Sequence, residues 1–365
     1  MMHSAASTTL LRAFLALFLF SAESMTGRTG FQGFTASRNA SGKGSWVEFK
    51  KQYVTPEGRV VDDANGGISH SEGQGYGMIL AAANRDLAAF SVIWDWTRRN
   101  LGVREDGLFA WKWDPAAKGN PVTDPNNATD GDLLIAWALQ RGGELWRNEK
   151  YIEEAKSIAR TIRTSLIADS PIGPLLLPGR AGFTRDEGVV VNPSYWVFPA
   201  FLDLHRIDPS HLWKDLYLSG IRLARTARFG EWDLPPDWLL VTRSGELELP
   251  GDFDPVFGYN AVRIPLYLQW AGENEPDLYE PFEAWATSEP SVFQVPDQVN
   301  LETGEPGEFT VIPGMVSVYH LAAPLEVPAP GPPSDGFTSY YSACLTLLSD
   351  LAGREKKRYS ELPRP

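Results

Sequence analysis

Ser71-Glu72-Gly73-Gln74-Gly75-Tyr76-Gly77-Met78 runs directly into Ile79-Leu80-Ala81-Ala82-Ala83. The second run has no polar face, so it reads as a helix packed on all sides. The glycines ahead of it read as a tight turn feeding that helix. Without side chains they would also let a large ligand approach the backbone. Glu72 then sits at the start of a buried helix beside a tyrosine. A carboxyl group in such a place can keep its proton to higher pH, which is how a general acid is made. The same residues equally suit a plain Gly-rich loop whose glutamate faces the positive end of the helix dipole. On this stretch alone both readings stay open.

Outward from it, the chain reads as helical hairpins. Trp46 to Tyr53 has helical apolar spacing, and Ala81 to Asn100 continues as helix. Leu108 to Trp113 is short and aromatic, a strand or an extended loop, and Pro115 to Asn127 is a loop. Tyr151 to Ala168 is strongly amphipathic. Further helices are expected from Asn192 through His205, from Pro209 to Arg228, and over Tyr259 to Trp270, Pro276 to Thr287 and Thr338 to Leu351. Phe229 to Gly258 and Ser288 to Gly336 are rich in Pro and Gly and read as long surface loops within one domain.

The second informative stretch is Ala128-Thr129-Asp130-Gly131-Asp132, followed by Leu133-Leu134-Ile135-Ala136-Trp137-Ala138-Leu139. Thr129 or Asp130 can cap the helix that follows. Two carboxylates at the start of a nearly all-apolar helix exceed what one cap requires. An EF-hand is excluded, because the ligand spacing and terminal glutamate are missing.

Composition narrows the function. A net charge of -13 over 365 residues argues against nucleic acid, whose phosphates call for clustered Lys and Arg. The single cysteine, Cys344, lies in an apolar run and reads as a buried thiol. His70, His205, His211 and His320 lack ligand spacing, so no metal and no cofactor is expected. Gly73, Gly75 and Gly77 do not match a nucleotide loop. Thirteen Trp and twelve Tyr can fill a core, or present platforms for pyranose rings. Ala13 to Phe20 is too short to span a bilayer comfortably, and Ala22-Glu23-Ser24 offers small residues beyond it. This reads as a removable export signal, 1–24, with no membrane span afterwards. The expected organisation is then a flexible segment 25–44, a catalytic domain 45–353 and a C-terminal tail 354–365.

The two informative stretches together resemble the signature regions of glycoside hydrolase family 8, most nearly the endoglucanases that accompany bacterial cellulose synthases. In the second, Ala128, Thr129, Asp130, Gly131, Asp132, Ile135, Ala136 and Trp146 match, while Gln140 and Gly142 depart from the pattern. Asn192-Pro193-Ser194-Tyr195, Tyr259-Asn260-Ala261-Val262-Arg263 and Tyr340-Tyr341 extend the resemblance, which covers roughly Ser45 to Leu351. It implies an all-α fold, an (α/α)6 barrel of helical hairpins with an open substrate cleft. It also implies inverting hydrolysis of internal β-1,4 bonds, in a secreted or periplasmic monomer acting on a β-1,4-glucan, beside the cellulose synthase machinery. Glu72 matches the proton donor, and Asp130 the aspartate that contacts the sugar at the scissile bond. Tyr195, Tyr259, Arg263 and Tyr340 match cleft positions. Tyr76 stands beside the donor, and Trp111 and Trp113 are candidate stacking residues.

Such chemistry needs a protonated carboxyl and a water-activating carboxylate about 6.5–9.5 Å apart. Where many members carry the base, this chain has Asn260, whose amide cannot accept the water's proton. Asp254, the nearest acid before it, and Asp130 are the alternatives; Asp252-Phe253-Asp254-Pro255 is also ordinary turn composition. Hydrolysis of xylan, mixed-linkage glucan or chitosan, and a non-catalytic glucan-binding role, are the competing functions.

Overall fold

The computed structural model describes residues 42–323, 325 and 336–362. The expected export signal lies outside the described residues, as does most of the segment assigned to 25–44. Among the described residues are eleven α-helices: α1 (Gly42–Tyr53), α2 (Ser71–Ala83), α3 (Leu87–Asn100), α4 (Thr129–Trp146), α5 (Glu149–Ser165), α6 (Phe198–Ile207), α7 (His211–Thr226), α8 (Arg263–Trp270), α9 (Glu280–Ala286), α10 (Pro313–Ala322) and α11 (Tyr340–Ser360).

They sort by burial. α2, α4, α6, α8, α10 and the first half of α11 are buried almost all round, and each packs on the next. α11 returns against α2 and closes the ring. α1, α3, α5, α7 and α9 bury one face each and lie outside. α5 shows why: Ala155, Ile158, Ala159 and Ile162 recur at helical spacing between charged residues. Inner and outer helices alternating around one core are the (α/α)6 barrel expected from the sequence.

The Gly-rich stretch is not a turn. α2 begins at Ser71, so all three glycines are helical. They admit neighbouring helices rather than a ligand. A Cβ on Gly75 would lie 2.6 Å from Leu134 Cβ in α4, one on Gly77 2.8 Å from Val60 Cγ2, and one on Gly73 2.6 Å from the Tyr340 hydroxyl of α11. Gln74, fully buried between them, accepts from Val60 N at 2.6 Å and donates to Thr97 Oγ1 at 2.8 Å.

Other boundaries also differ from expectation. The stretch from Ala81 to Asn100 is broken by Arg85 with φ 57°, and Asp86 caps α3 through Ala89 N. The region 288–336 contains α10, whose small, uncharged sequence carries no amphipathic signal. The region 229–258 holds short strands, including Leu239–Thr242, which pairs antiparallel with Gly188–Val191. Nor is 354–365 simply a tail: α11 continues to Ser360. Its last turns cross the barrel end opposite the inner helix starts. Glu355 accepts both Nη atoms of Arg141 in α4, at 2.8 and 2.5 Å, and Trp270 Nε1 of α8 at 2.9 Å. Tyr359 donates to the fully buried Asp203 of α6 at 2.6 Å.

Candidate active site

With one barrel end closed by α11, the starts of the inner helices gather at the other. Glu72 lies in the first turn of α2, Asp130 in that of α4, Arg263 opens α8, and Tyr340 and Tyr341 open α11. Tyr195 closes a 3-10 turn, Pro193–Tyr195, ahead of α6. Residues 58 positions apart in the chain (72 and 130) thus face one another because both begin inner helices.

α2 and α4 approach closely. A Cβ on Gly131 would stand 2.7 Å from Glu72 N and 2.1 Å from Ser71 Oγ. The cap expected from Thr129 or Asp130 does not form: Ala128 takes the capping position and makes no side-chain bond. Thr129 Oγ1 donates instead to Leu177 O at 2.6 Å, and Asp130 Oδ1 accepts from Gly131 N at 2.7 Å. Asp132 accepts from Phe109 N at 2.9 Å and Asn127 Nδ2 at 2.8 Å, which fixes the segment leading to the tryptophans.

Arg263 joins the two carboxylates. Its Nη1 donates to Glu72 Oε1 at 2.6 Å and lies 3.4 Å from Asp130 Oδ2. Oxygens so placed around one nitrogen are themselves no more than about 6 Å apart. Nη2 reaches Ser194 Oγ at 2.9 Å and Asn260 Oδ1 at 3.0 Å. Two buried carboxylates face one guanidinium, which leaves an excess negative charge in a dry place. Burial first, then the charge of Glu72, push Asp130 from its ordinary 3.8 up to about 7, against the pull of Arg263. The cluster therefore keeps a proton near neutral pH.

Asn260 is fully used. Its Oδ1 accepts from Asn192 Nδ2 at 2.9 Å as well as from Arg263, and its Nδ2 donates to Asp237 Oδ2 at 3.2 Å. Asp237, buried in Pro235-Pro236-Asp237-Trp238, also accepts from Gly258 N at 3.0 Å and Ala261 N at 2.7 Å. Burial raises its proton affinity, against these donors. Tyr259 donates to Asp297 Oδ2 at 2.6 Å, and the Tyr341 hydroxyl donates to Tyr259 O.

The expected site residues divide. Glu72, Asp130, Tyr195, Asn260, Arg263 and Tyr340 come together, and Tyr259 adjoins them. Tyr76 is beneath them and fully buried, its hydroxyl 2.8 Å from that of Tyr267, so it supports Arg263 and has no face for sugar. Trp111 is likewise no platform. At 1% exposure it belongs to a second core cluster with Phe183 and Phe253, its Nε1 bonded to Asp124 at 2.8 Å. Trp113 is partly exposed, paired with Ser69 just ahead of α2, and carries the Arg59 guanidinium 5.0 Å from its ring centre. Asp254 is exposed on the turn before strand Val256–Phe257. Sequence reasoning missed Asp237, Asn192, Ser194 and Tyr267 as members of the network. Asp237 looks like turn composition, and Tyr267 like an interior helix position. Among the described residues no group of three or more His, Cys, Asp or Glu converges as a metal would need, and no helix is long and apolar enough to cross a membrane.

A helical barrel that gathers carboxylic acids and tyrosines around a buried arginine at its open end belongs to the class of acid-assisted hydrolases. Comparisons sharpen the class to a family. The profile described as Glycosyl hydrolases family 8 matches residues 23–355. The chain is 40% identical over 314 residues to a probable endoglucanase of Novacetimonas hansenii, covering 85% of this chain and 90% of that one. It is 35% identical to an endoglucanase of Cellulomonas uda, over 77% and 78% of the two chains. The solved endo-beta-1,4-glucanase CMCax of Acetobacter xylinum superposes with a TM-score of 0.81 at 39% identity, covering 87% of this chain and 98% of that one. The chain belongs to glycosyl hydrolases family 8 and is a glycoside hydrolase.

Proposed function

We infer that the protein is an exported endo-β-1,4-glucanase that cuts internal bonds of cellulose or a similar β-glucan with inversion. The observation that carries this reading is the pair Glu72 and Asp130, each opening an inner helix and both facing one buried arginine. The relatives' names supply the bond type. The apolar run Ala13 to Phe20 supports export, and the resemblance to endoglucanases that accompany bacterial cellulose synthases supports work beside that machinery.

Glu72 gives its proton to the leaving glycosidic oxygen. Asp130 steadies the sugar at the bond being cut, its Oδ2 near the same Arg263 nitrogen that binds Glu72 Oε1. Asn260 cannot take the water's proton, and both ends of its amide are occupied. We assign the base to Asp254, the exposed carboxylate on the turn that leads into Tyr259 and Asn260. Tyr195, Tyr259 and Trp113 line the trough along which the glucan lies, and Tyr340, at 1% exposure, backs it from within.

Viscometry of carboxymethyl cellulose tests the assignment. Glu72→Gln abolishes the fall in viscosity. Asp254→Ala lowers it at least about 100-fold, as loss of a general base does, with partial recovery in azide. Normal activity in the first variant removes Glu72 as the acid; normal activity in the second returns the base to another residue. Proton NMR of the first product should show the α-anomer, and a β-anomer would exclude inversion.

A further inference from the structure

We propose that His70, held by the Asp62–Asp63 turn, is a positioning residue that sets the catalytic direction of Glu72. The proposal rests on the reading of Glu72 as the acid. His70 occupies the capping position of α2, in extended conformation with φ −134° and ψ 157°. Its Nδ1 accepts the Gly73 N–H at 3.0 Å. A ring nitrogen that accepts a backbone N–H carries no proton, so the imidazole proton sits on Nε2. Nε2 faces Asp62 Oδ2 at 3.5 Å.

Asp62 is itself fixed. Its Oδ1 accepts from Ala64 N at 3.2 Å and its Oδ2 from Asn65 Nδ2 at 2.7 Å. The next residue, Asp63, accepts the backbone N–H of Tyr340 at 2.9 Å, at the start of α11. The Tyr340 ring then meets the His70 ring edge-on, with centroids 5.6 Å apart, and its hydroxyl fills the space left open at Gly73. One turn therefore holds the starts of two inner helices against each other, with Glu72 between them. β1 (Ser69–His70) adds a second anchor, pairing with β2 (Lys112–Trp113).

Ordinary caps are Ser, Thr, Asp or Asn, short side chains that satisfy one orphan N–H and stop there. Histidine reaches further and ties the first turn of α2 to a second fixed group. Glu72 is in that turn, so slack in it becomes slack in the donor oxygen. A reacting group misplaced by about 1 Å loses on the order of 100-fold in rate. Substrate binding draws on Tyr195, in the turn ahead of α6, and on Tyr259, bonded to Asp297, neither of which the brace holds, so KM is spared.

The test is steady-state kinetics on a soluble cello-oligosaccharide, well below each variant's Tm, with active protein counted by cello-oligosaccharide binding. His70→Ala should lower kcat about tenfold or more with KM within twofold. His70→Asn, which restores a capping oxygen, should recover most of the loss. Asp62→Ala, which leaves the cap but frees the ring, should fall between them, and it decides the matter if His70→Ala does not accumulate. A kcat within twofold of the parent in His70→Ala or Asp62→Ala, or a loss carried by KM, overturns the proposal. Glu72→Gln is measured alongside: if that variant is active, the acid assignment has failed rather than the brace.

Discussion

Asp130→Asn should stabilise the protein above neutral pH while disabling it. Asp130 is fully buried, and its proton affinity rises from 3.8 to about 7. A folded-state value above the unfolded one means the protonated form favours folding. That contribution is complete below about pH 4 and is lost as pH rises through about 7. At pH 8 the ionised Asp130 weakens the fold by roughly 4 kcal/mol, at about 1.4 kcal/mol for each unit of the shift. Asparagine removes that charge and leaves Glu72 and Arg263 as a matched pair. Against this, its amide cannot both accept from Gly131 N and offer an oxygen to Arg263, which costs about 1–2 kcal/mol. The net gain at pH 8 is about 2–3 kcal/mol, or about 3–4 °C in Tm for a chain of this size. At pH 4.5 the parent carboxyl is protonated and the gain vanishes or turns slightly negative. Circular dichroism melts of both proteins at pH 4.5, 6 and 8 read the difference directly, and viscometry reads the lost activity. A Tm gap that is flat with pH, or largest in acid, would refute the account of two buried carboxylates sharing one guanidinium.

Gly131→Ala tests the contact between α2 and α4. The added methyl meets the Glu72 backbone nitrogen at 2.7 Å and Ser71 Oγ at 2.1 Å, so one helix start must move. About 1–3 kcal/mol of stability should be lost in urea titrations, with kcat falling more than KM changes; unchanged kcat would mean the Glu72–Asp130 spacing is not critical. Asn260→Asp places a second carboxylate 3.2 Å from Asp237, where the amide now donates. The pair would retain a proton, so the Tm deficit of this variant should be small at pH 5 and widen by several degrees at pH 8. An equal deficit at both values would show that Asp237 does not face position 260 as an ionised group.

The fold was legible where local pattern and final environment agree. α5 and α7 bury one stripe each, and their apolar spacing announces it. α4 is buried almost throughout, and its run from Leu133 to Leu139 is apolar enough to say so. Legibility failed where a helix owes its stability to neighbours on every side. α10, Pro313 to Ala322, follows a Pro- and Gly-rich segment and shows no polar face, so nothing local separates it from a loop. The glycines of α2 misled for the same reason. Glycine in a helix is locally unfavourable, and only the approach of α4, α11 and Val60 explains three of them in one turn and a half.

For the site, the sequence displayed each helix start separately, and the resemblance supplied which starts belong together. What neither could show is how the charges balance. Arg263 appeared as one cleft residue among several, yet it contacts Glu72, Asp130, Ser194 and Asn260 at once. Asn260 appeared as a missing base, yet its amide is the one group that can accept from Arg263 and Asn192 at one end while donating to Asp237 at the other. A carboxylate there would keep the first two contacts and repel the third. The choice of asparagine is thus set by Asp237, a residue hidden in turn composition. Exchanging one partner without the other should cost more than exchanging both, so Asp237→Asn placed on Asn260→Asp should restore the Tm that the single change removes at pH 8.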